Sequence, residues 1–361
     1  MSSAEAVNVG YARRGDTGDI VGMFEDEYDT YYGNFVDEED LMDQIIGMHQ
    51  SIERGEVPDE EIFVVRDGGE AVAVAAASHE GGWSEIKSEM VHPDYRGEDL
   101  DGESFFRKVL EKADGAAVDK GQNRYSVCVS NGEAKTQKAK QDMGYVPVGY
   151  GFLKHFVTYD GKGRESTAFM VDGDFSEEGE VYVTGALTGA VDQALENLEG
   201  HGVDRTVIQD KGGKDQYFDF KKKEIPDFDM AKIEAVPIGQ EPVQGESIVD
   251  YQELVSKVEA VENDPQYDWV GVSLNANHPS TASLTEEFMD MGFTFERFQP
   301  DGMNNASSDV LGLQAMPEEE WKRQVTEDTY QIIQETPGLD ARVENTQNFS
   351  GTKVHDVRIE S

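Results

Sequence analysis

Hydrophobic positions in the first half of the chain follow two different periods. Short apolar runs, some of them alternating with polar residues, predict strands, and longer runs with apolar residues three or four positions apart predict amphipathic helices. The predicted strands cover residues 7–12, 61–65, 71–78, 84–91, 125–130, 146–156 and 166–171, and the predicted helices cover 20–24, 38–54, 103–117 and 133–142. This order predicts an α/β (α+β) fold in which a mixed, mostly antiparallel sheet is flanked by helices.

Part of this pattern recurs in the second half. Residues 125–130 and Met143-Gly144-Tyr145 have counterparts in residues 269–274 and Met291-Gly292-Phe293, and an apolar strand follows each copy. Strand, helix, Met-Gly-aromatic and strand thus come twice in the same order, which favours two tandem copies of one domain over a chance likeness of two βαβ pieces. We predict domains at 1–175 and 176–317, with a linker at 177–179.

The last residues are more polar. A helix is predicted over 318–334, and the polar extension after it either stays exposed or lies on a neighbouring element. The sequence therefore predicts a separate C-terminal segment, residues 318–361.

The net charge of the chain indicates the kind of solution in which the protein works. The chain has 361 residues, with 74 Asp and Glu against 31 Lys and Arg, for a net charge of −43. The acidic residues are spread through periodic segments, which indicates a folded protein. Such a surface repels itself unless concentrated salt screens it, so a halophilic, haloarchaeal-like source is predicted, the alternative being an acidic protein of an ordinary cell. Nucleic-acid binding is not expected, because phosphate contacts need clustered basic residues.

Other classes of site have little support. Cys128 lies in an apolar strand, the seven histidines lack paired ligand spacing, and no run approaches the roughly 18 apolar residues of a membrane span. We expect a cytoplasmic protein with no metal and no membrane partner, and leave a homo-oligomer open.

Residues 91–102 lie between a predicted strand and a predicted helix and begin Val91-His92-Pro93-Asp94-Tyr95-Arg96-Gly97. The first turn of a helix has free N–H groups and the positive end of the helix dipole, which together hold phosphate. This segment therefore predicts an anion-binding turn.

The same segment resembles the hallmark of the GNAT family of N-acetyltransferases, and the Met143-Gly144-Tyr145 segment is similar to a later element of that family. The resemblance runs through Val171; the second copy resembles only the C-terminal half of such a domain and has no Arg-Gly turn. It implies acetyl-CoA, or another acyl-CoA, as co-substrate. The implied binding residues are Met90, Val91, Arg96, Gly97, Asp99, Leu100, Asp101, Gly102, Glu103 and Ser104.

The chain departs from the family pattern inside that turn. Asp99 and Asp101 stand where the family has small residues, so each adds a side chain and a negative charge near the expected diphosphate. Gly102 follows one position late and restores the turn if the loop carries an extra residue.

The resemblance also implies an acid and a base. Glu85 and Glu89, which alternate with Lys87 on the strand before the turn, are the candidate bases, unless they form a solvated strand face. Lys140 stands where relatives often have a Tyr as the acid, so Tyr145 is the candidate acid and Tyr150 a second choice, although both residues also suit a packing role.

The expected function is an acyl-CoA-dependent N-acyltransferase acting on a small-molecule or protein amine. Its first domain would be catalytic and its second would support it. The alternative is a catalytically inactive GNAT-fold protein with a binding or structural role.

Overall fold

The structure, a computed structural model, describes residues 7–27, 38–97, 99–100, 103–129, 134–155, 165–176, 178–209, 212–225, 229–238, 248–303, 308–315, 320–337, 339–349 and 352–360. These residues form two compact units, one up to residue 127 and one from residue 128 onwards.

The first unit contains the strands and helices predicted for this part of the chain and two further short strands. They are β1 (Asn8–Tyr11), α1 (Thr17–Glu27), α2 (Glu38–Glu53), β2 (Glu60–Asp67), β3 (Glu70–Glu80), β4 (Trp83–Val91), β5 (Asp99–Leu100), β6 (Glu103–Ser104), α3 (Phe105–Asp119) and the start of β7 (Asn123–Val129). Strands β1 to β4 form an antiparallel meander, and β7 joins β4 in parallel. The β2–β3 turn is tight because Gly68 and Gly69 adopt φ of 61° and 95°.

One face of this sheet is covered by α1 and α2. Buried residues of the helices, among them Ile20, Leu41 and Ile45, contact Val64 and Val74 of the strands in one hydrophobic core. The helix spacing in the sequence therefore predicted the faces that are buried.

The second unit is larger. Its elements are α4 (Lys135–Gln141), β8 (Val146–His155), β9 (Glu165–Asp172), β10 (Glu178–Tyr182), α5 (Thr188–Leu198), β11 (Asp204–Ile208), β12 (Tyr217–Ile225), β13 (Met230–Ile238), β14 (Ile248–Asp250), α6 (Tyr251–Glu262), β15 (Trp269–Asn275), α7 (Ser280–Asp290), β16 (Phe293–Met303), β17 (Ser308–Ala315), β18 (Glu320–Thr326), α8 (Glu327–Gln334), β19 (Asp340–Phe349) and β20 (Thr352–Glu360). Eight strands lie in the order β9-β8-β16-β17-β15-β13-β12-β14, β10 pairs with β11, and β18, β20 and β19 form a third sheet.

Most strand pairs in both units are antiparallel and helices flank the sheets, so the predicted fold class is confirmed. With the short strands β5, β6 and β14 left out, the order β12-β13-α6-β15-α7-β16-β17 repeats the order β3-β4-α3-β7-α4-β8-β9. The compact units divide within β7, whereas the sequence places the first boundary at residue 175. The domain bounds 1–175, 176–317 and 318–361 stay a prediction.

Three expectations were wrong in detail. Glu178 and Gly179 of the expected linker are strand residues of β10, and α3 begins at Phe105, after Ser104, and not at Glu103. The expected helix over 318–334 begins only at Glu327, because the residues before it form β18.

The polar C-terminal extension forms the β19–β20 hairpin. Val325, Val357 and Ile359 are buried at alternate strand positions of the three-stranded sheet. The composition of residues 320–326 suggested a helix, but in the structure they form β18. Their conformation is decided by pairing with β20, a strand about 30 residues further along the chain, which the local sequence does not reveal.

Candidate functional site

Strands β4 and β7 stay together for only part of their length. Within the described residues, their parallel ladder has three pairs, from Trp83↔Asn123 to Glu85↔Tyr125. Beyond it β4 runs on from Ile86 to Val91, and β7 continues from Ser126. We call the region between these two stretches, within the first unit, where the described residues of the strands have no ladder pairs, the slot.

The equivalent strands of the second unit are paired further. β13 and β15 are also parallel and joined by a helix, and their ladder runs through six pairs, from Met230↔Trp269 to Ala235↔Leu274. The early end of the ladder is therefore a property of β4 and β7, and not of the strand–helix–strand arrangement itself.

A β-bulge lies three residues beyond the last ladder residue of β4. The register with β3 shifts between Val74 and Ala76, so that Ser88 and Glu89 lie opposite a single residue. Ser88 is buried and has a φ of 56°, in the left-handed region that non-glycine residues rarely adopt. Bulges and strained backbone of this kind concentrate next to functional sites.

The two candidate bases have different surroundings. The Ser126 hydroxyl lies 3.3 Å from Glu89 Oε1 and 2.9 Å from the carbonyl oxygen of Ile86, so it links the two strands where they separate. Glu85, half-buried, is the last ladder residue of β4, opposite Tyr125. Glu85, Lys87 and Glu89 are all half-buried and alternate with the buried Ile86, Ser88 and Met90, as the sequence predicts.

The turn after β4 is ordered by short-range contacts. Residues Pro93–Tyr95 form a single 3₁₀ turn, Gly97 has a φ of 81°, and Arg96 Nε donates to the carbonyl oxygen of Val91 at 3.3 Å. The Tyr95 ring lies 5.8 Å from the ring of Phe105, the first residue of α3. The turn therefore lies beside the N-terminus of that helix.

The predicted diphosphate turn is only partly described. Its backbone forms a small hairpin, Asp99–Leu100 paired with Glu103–Ser104, and the Ser104 hydroxyl accepts the N–H of Arg107 at 3.3 Å. Asp101 and Gly102 lie outside the described residues. Met90 and Val91 are buried at the end of β4, whereas Arg96 and Gly97 are exposed.

A polar cluster, which the sequence did not reveal, lies within the same sheet. We call it the Glu61 cluster; its members are Tyr11, Glu61, His79, Ser84, Lys120 and Gln122. The Glu61 carboxylate accepts from Tyr11 Oη at 2.9 Å, from His79 Nε2 at 2.9 Å and from Lys120 Nζ. It thereby joins strands β1, β2 and β3 to the end of α3.

Burial by itself raises the pKa of Glu61, but the hydrogen bonds from His79, Lys120 and Tyr11 outweigh it and lower that pKa from 4.5 to about 2. Burial and the hydrogen bond to the Glu61 carboxylate raise the pKa of Tyr11 to about 12. The cluster thus holds a carboxylate that stays ionised in the interior.

The other side of His79 reaches β4 and the start of β7. Its Nδ1 lies 2.8 Å from both Ser84 Oγ and Gln122 Oε1, and the Ser84 hydroxyl donates to Gln122 Oε1 at 2.5 Å. The only signal for this cluster in the sequence was a polar residue, Glu61, at a buried position of the apolar strand β2. Such a residue by itself does not indicate which side chains bind it.

The candidate acid belongs to the second unit. Tyr145 is 1% exposed, and its ring lies 5.0 Å from Nζ of Lys140, which is itself fully buried. Tyr150 is buried as well, and its carbonyl oxygen accepts from Gln314 Nε2 at 3.1 Å. These positions agree with the packing role that the sequence left open for both tyrosines.

The second unit also has a cleft of its own, of about 300 Å³, lined by Glu178, Glu180, Arg205, Asn277 and Asp309 among others. Arg205 is held by Asp309 and by Ser176, and Asn277 Nδ2 donates to Asp309 Oδ2 at 2.9 Å. The buried polar side chains that line the cleft therefore hydrogen-bond to one another.

In the described part of the chain, no three His, Cys, Asp or Glu side chains come close enough together to hold a metal ion. No helix among those residues has the length and apolar character needed to cross a membrane.

Neither a known protein family nor a curated protein matches the sequence. Several solved structures similar to this chain are N-acetyltransferases. One from Staphylococcus aureus is 18% identical, with 47% of this chain and 99% of that chain covered and a TM-score of 0.36. A ribosomal-protein-alanine N-acetyltransferase from Brucella melitensis is 18% identical, with 46% and 98% covered and a TM-score of 0.36. The PaiA N-acetyltransferase from Thermoplasma acidophilum, in complex with coenzyme A, is 10% identical, with 46% and 99% covered and a TM-score of 0.33.

Proposed function

We propose that the protein is an acyl-CoA-dependent N-acyltransferase that transfers an acyl group, acetyl in the simplest case, to a small-molecule or protein amine. The observation that carries this proposal is the early end of the β4–β7 ladder, after Glu85 and Tyr125, with a strained bulge at Ser88. An extended amide chain such as pantetheine matches such a slot, because it pairs with a strand as another strand does.

The co-substrate would follow β4 towards α3. Its pantetheine would pair with the backbone of Met90 and Val91, and its diphosphate would lie at residues 96–104, before the positive end of the α3 dipole. The negative charge of Asp99 and Asp101 opposes this placement, so binding is expected to need salt that screens the carboxylates.

Transfer of the acyl group to an amine requires two proton transfers. Glu89 or Glu85 would take the proton from the ammonium form of the acceptor, directly or through a water, and the free amine would attack the thioester carbonyl. The C–S bond then breaks, and the departing thiolate takes a proton from the protonated base or from water. Glu89 is favoured as the base, because Ser126 orients its carboxylate at 3.3 Å.

Titration with acetyl-CoA in molar KCl tests the proposal. We expect saturable heat and a rise in melting temperature, and the proposal fails if millimolar acetyl-CoA produces neither. Glu89→Gln, with Glu85→Gln as the matched variant, then assigns the base: roughly a hundredfold loss of kcat is expected for the true base, with acetyl-CoA affinity retained. Tyr145→Phe checks the predicted acid in the same assay.

A second candidate is a GNAT-fold protein that binds a ligand or a partner without catalysis. The observation favouring it is Lys140, which is buried where the resemblance implies an acid, next to the equally buried Tyr145. The double variant Asp99→Gly with Asp101→Gly separates the two. A dormant protein gains acetyl-CoA affinity from it, whereas a working enzyme changes little, and release of free CoA with a panel of amines shows turnover directly.

A further inference from the structure

The Glu61 cluster lies at the paired end of the slot. Ser84 is the second residue of β4 and Gln122 immediately precedes β7, and the hydrogen bond between their side chains spans the two strands. The backbone of Asn123 adds a hydrogen bond to the carbonyl oxygen of Gly82 at 3.1 Å. Three residues further along, the ladder has ended.

His79 connects this strand junction to a fixed charge. Its two ring nitrogens contact Glu61 on one side and Ser84 and Gln122 on the other. Glu61 is in turn held by Lys120 from the end of α3, the helix that joins β4 to β7. The two strands and their connecting helix are therefore tied to one buried carboxylate.

Burying charged groups in such a cluster costs desolvation free energy, and well-packed apolar residues often stabilise a sheet at least as well as a buried ion pair. A polar cluster instead specifies one geometry, because its donors and acceptors are satisfied in a single arrangement. Its members Glu61, Ser84 and His79 are all nearly inaccessible to solvent, so these three side chains have no direct contact with a ligand.

We propose that Gln122 and His79 are positioning residues that fix the start of β7 against β4 and thereby set the width of the slot. The proposal rests on the proposed function for the identity of the ligand, acyl-CoA, but not for the mechanical claim. It predicts that removing hydrogen bonds from the cluster changes the spacing between residues 86–91 and residues 123–127. None of the altered side chains touches the ligand.

The first test is hydrogen exchange on the full chain. Gln122→Ala is expected to speed amide exchange roughly tenfold at residues 86–91 and 123–127. Ile45→Val, a buried change in α2 that removes one methylene, is the matched control. It is expected to leave amide exchange in those two segments as slow as in the wild type, apart from any change that follows from its effect on global stability. Equal exchange in the two variants overturns the proposal.

The second test is acetyl-CoA binding and kinetics. Gln122→Ala is expected to raise Kd and KM roughly tenfold with little change in kcat, and Gln122→Glu, which keeps the acceptor oxygen and the length, is expected to restore most of the affinity. An unchanged Kd in Gln122→Ala overturns the proposal.

Two further outcomes are informative. If Gln122→Ala does not fold, Ser84→Ala removes one donor from the same junction and is read in the same way. If the wild type binds no acetyl-CoA, the proposed function fails, while the exchange data still decide whether the cluster sets the spacing of β4 and β7.

Discussion

Arg205 and Asp309 form a two-bond ion pair inside the second unit. Arg205 Nε lies 2.7 Å from Asp309 Oδ2, and Nη2 lies 3.1 Å from Oδ1, with both side chains almost fully buried. Burial by itself lowers the pKa of Arg205, but the hydrogen bonds and charge of Asp309 outweigh it and raise that pKa. The pair joins β11 to β17, which are about 100 residues apart in the chain.

Breaking this pair on one side is expected to be costly. Asp309→Asn removes the carboxylate charge that accepts from Arg205 and leaves Asp301, 3.6 Å from Nη2, as the remaining counter-ion, so we expect the free energy of unfolding to fall by at most about 3–5 kcal/mol, measured by urea denaturation. The exposed Arg342–Asp340 pair is the control: Arg342→Ala is expected to cost less than about 1 kcal/mol. A comparable loss in both variants contradicts the interpretation.

The Glu61 cluster predicts a specific dependence on pH. The folded-state pKa of Glu61, about 2, lies below its ordinary value of 4.5, so its stabilisation is present above pH 4.5 and disappears as the pH falls towards 2. The shift corresponds to about 3 kcal/mol. Glu61→Gln should therefore differ most from the wild type near pH 6, and the difference should shrink between pH 4.5 and 2 in denaturant titrations. A difference independent of pH would contradict the assignment.

Close approach of two strands predicts the effect of a methyl group. Gly149 of β8 lies opposite Arg297 of β16, and a Cβ there would come within 2.2 Å of the carbonyl oxygen of Glu296. Gly149→Ala is expected to cost about 1–3 kcal/mol or more of unfolding free energy, measured by thermal denaturation. Gly47→Ala in α2 is the control: its Cβ meets nothing within 4 Å, and it should stabilise by about 0.5–1 kcal/mol.

The net charge of −43 predicts stabilisation by salt. The screening length falls from about 10 Å at 0.1 M to about 3 Å at 1 M salt, so repulsion between surface carboxylates weakens. The melting temperature is expected to rise steadily from 0.1 to 2 M KCl, as scanning calorimetry would show. A flat or falling curve would contradict the halophilic source that the composition predicts.

The candidate site was only partly predictable. The sequence predicted an anion-binding turn, because Val91 to Gly97 follow a strand and precede a helix, and it named Glu85 and Glu89 as candidate bases, which stay predictions. It did not predict the bulge at Ser88, since a one-residue shift in register depends on the partner strand β3 and not on β4 itself.

What the sequence determined by itself is local. The order of elements through Val171, the turn at Gly68 and Gly69 and the buried faces of α1 and α2 follow from side-chain period and turn chemistry, which act over a few residues. The tertiary structure decided where the β4–β7 ladder ends, which side chains join Glu61, and that the C-terminal residues form a sheet. Each of these depends on partners tens of residues away, and hydrogen-bond geometry and burial select such partners only once the chain has folded.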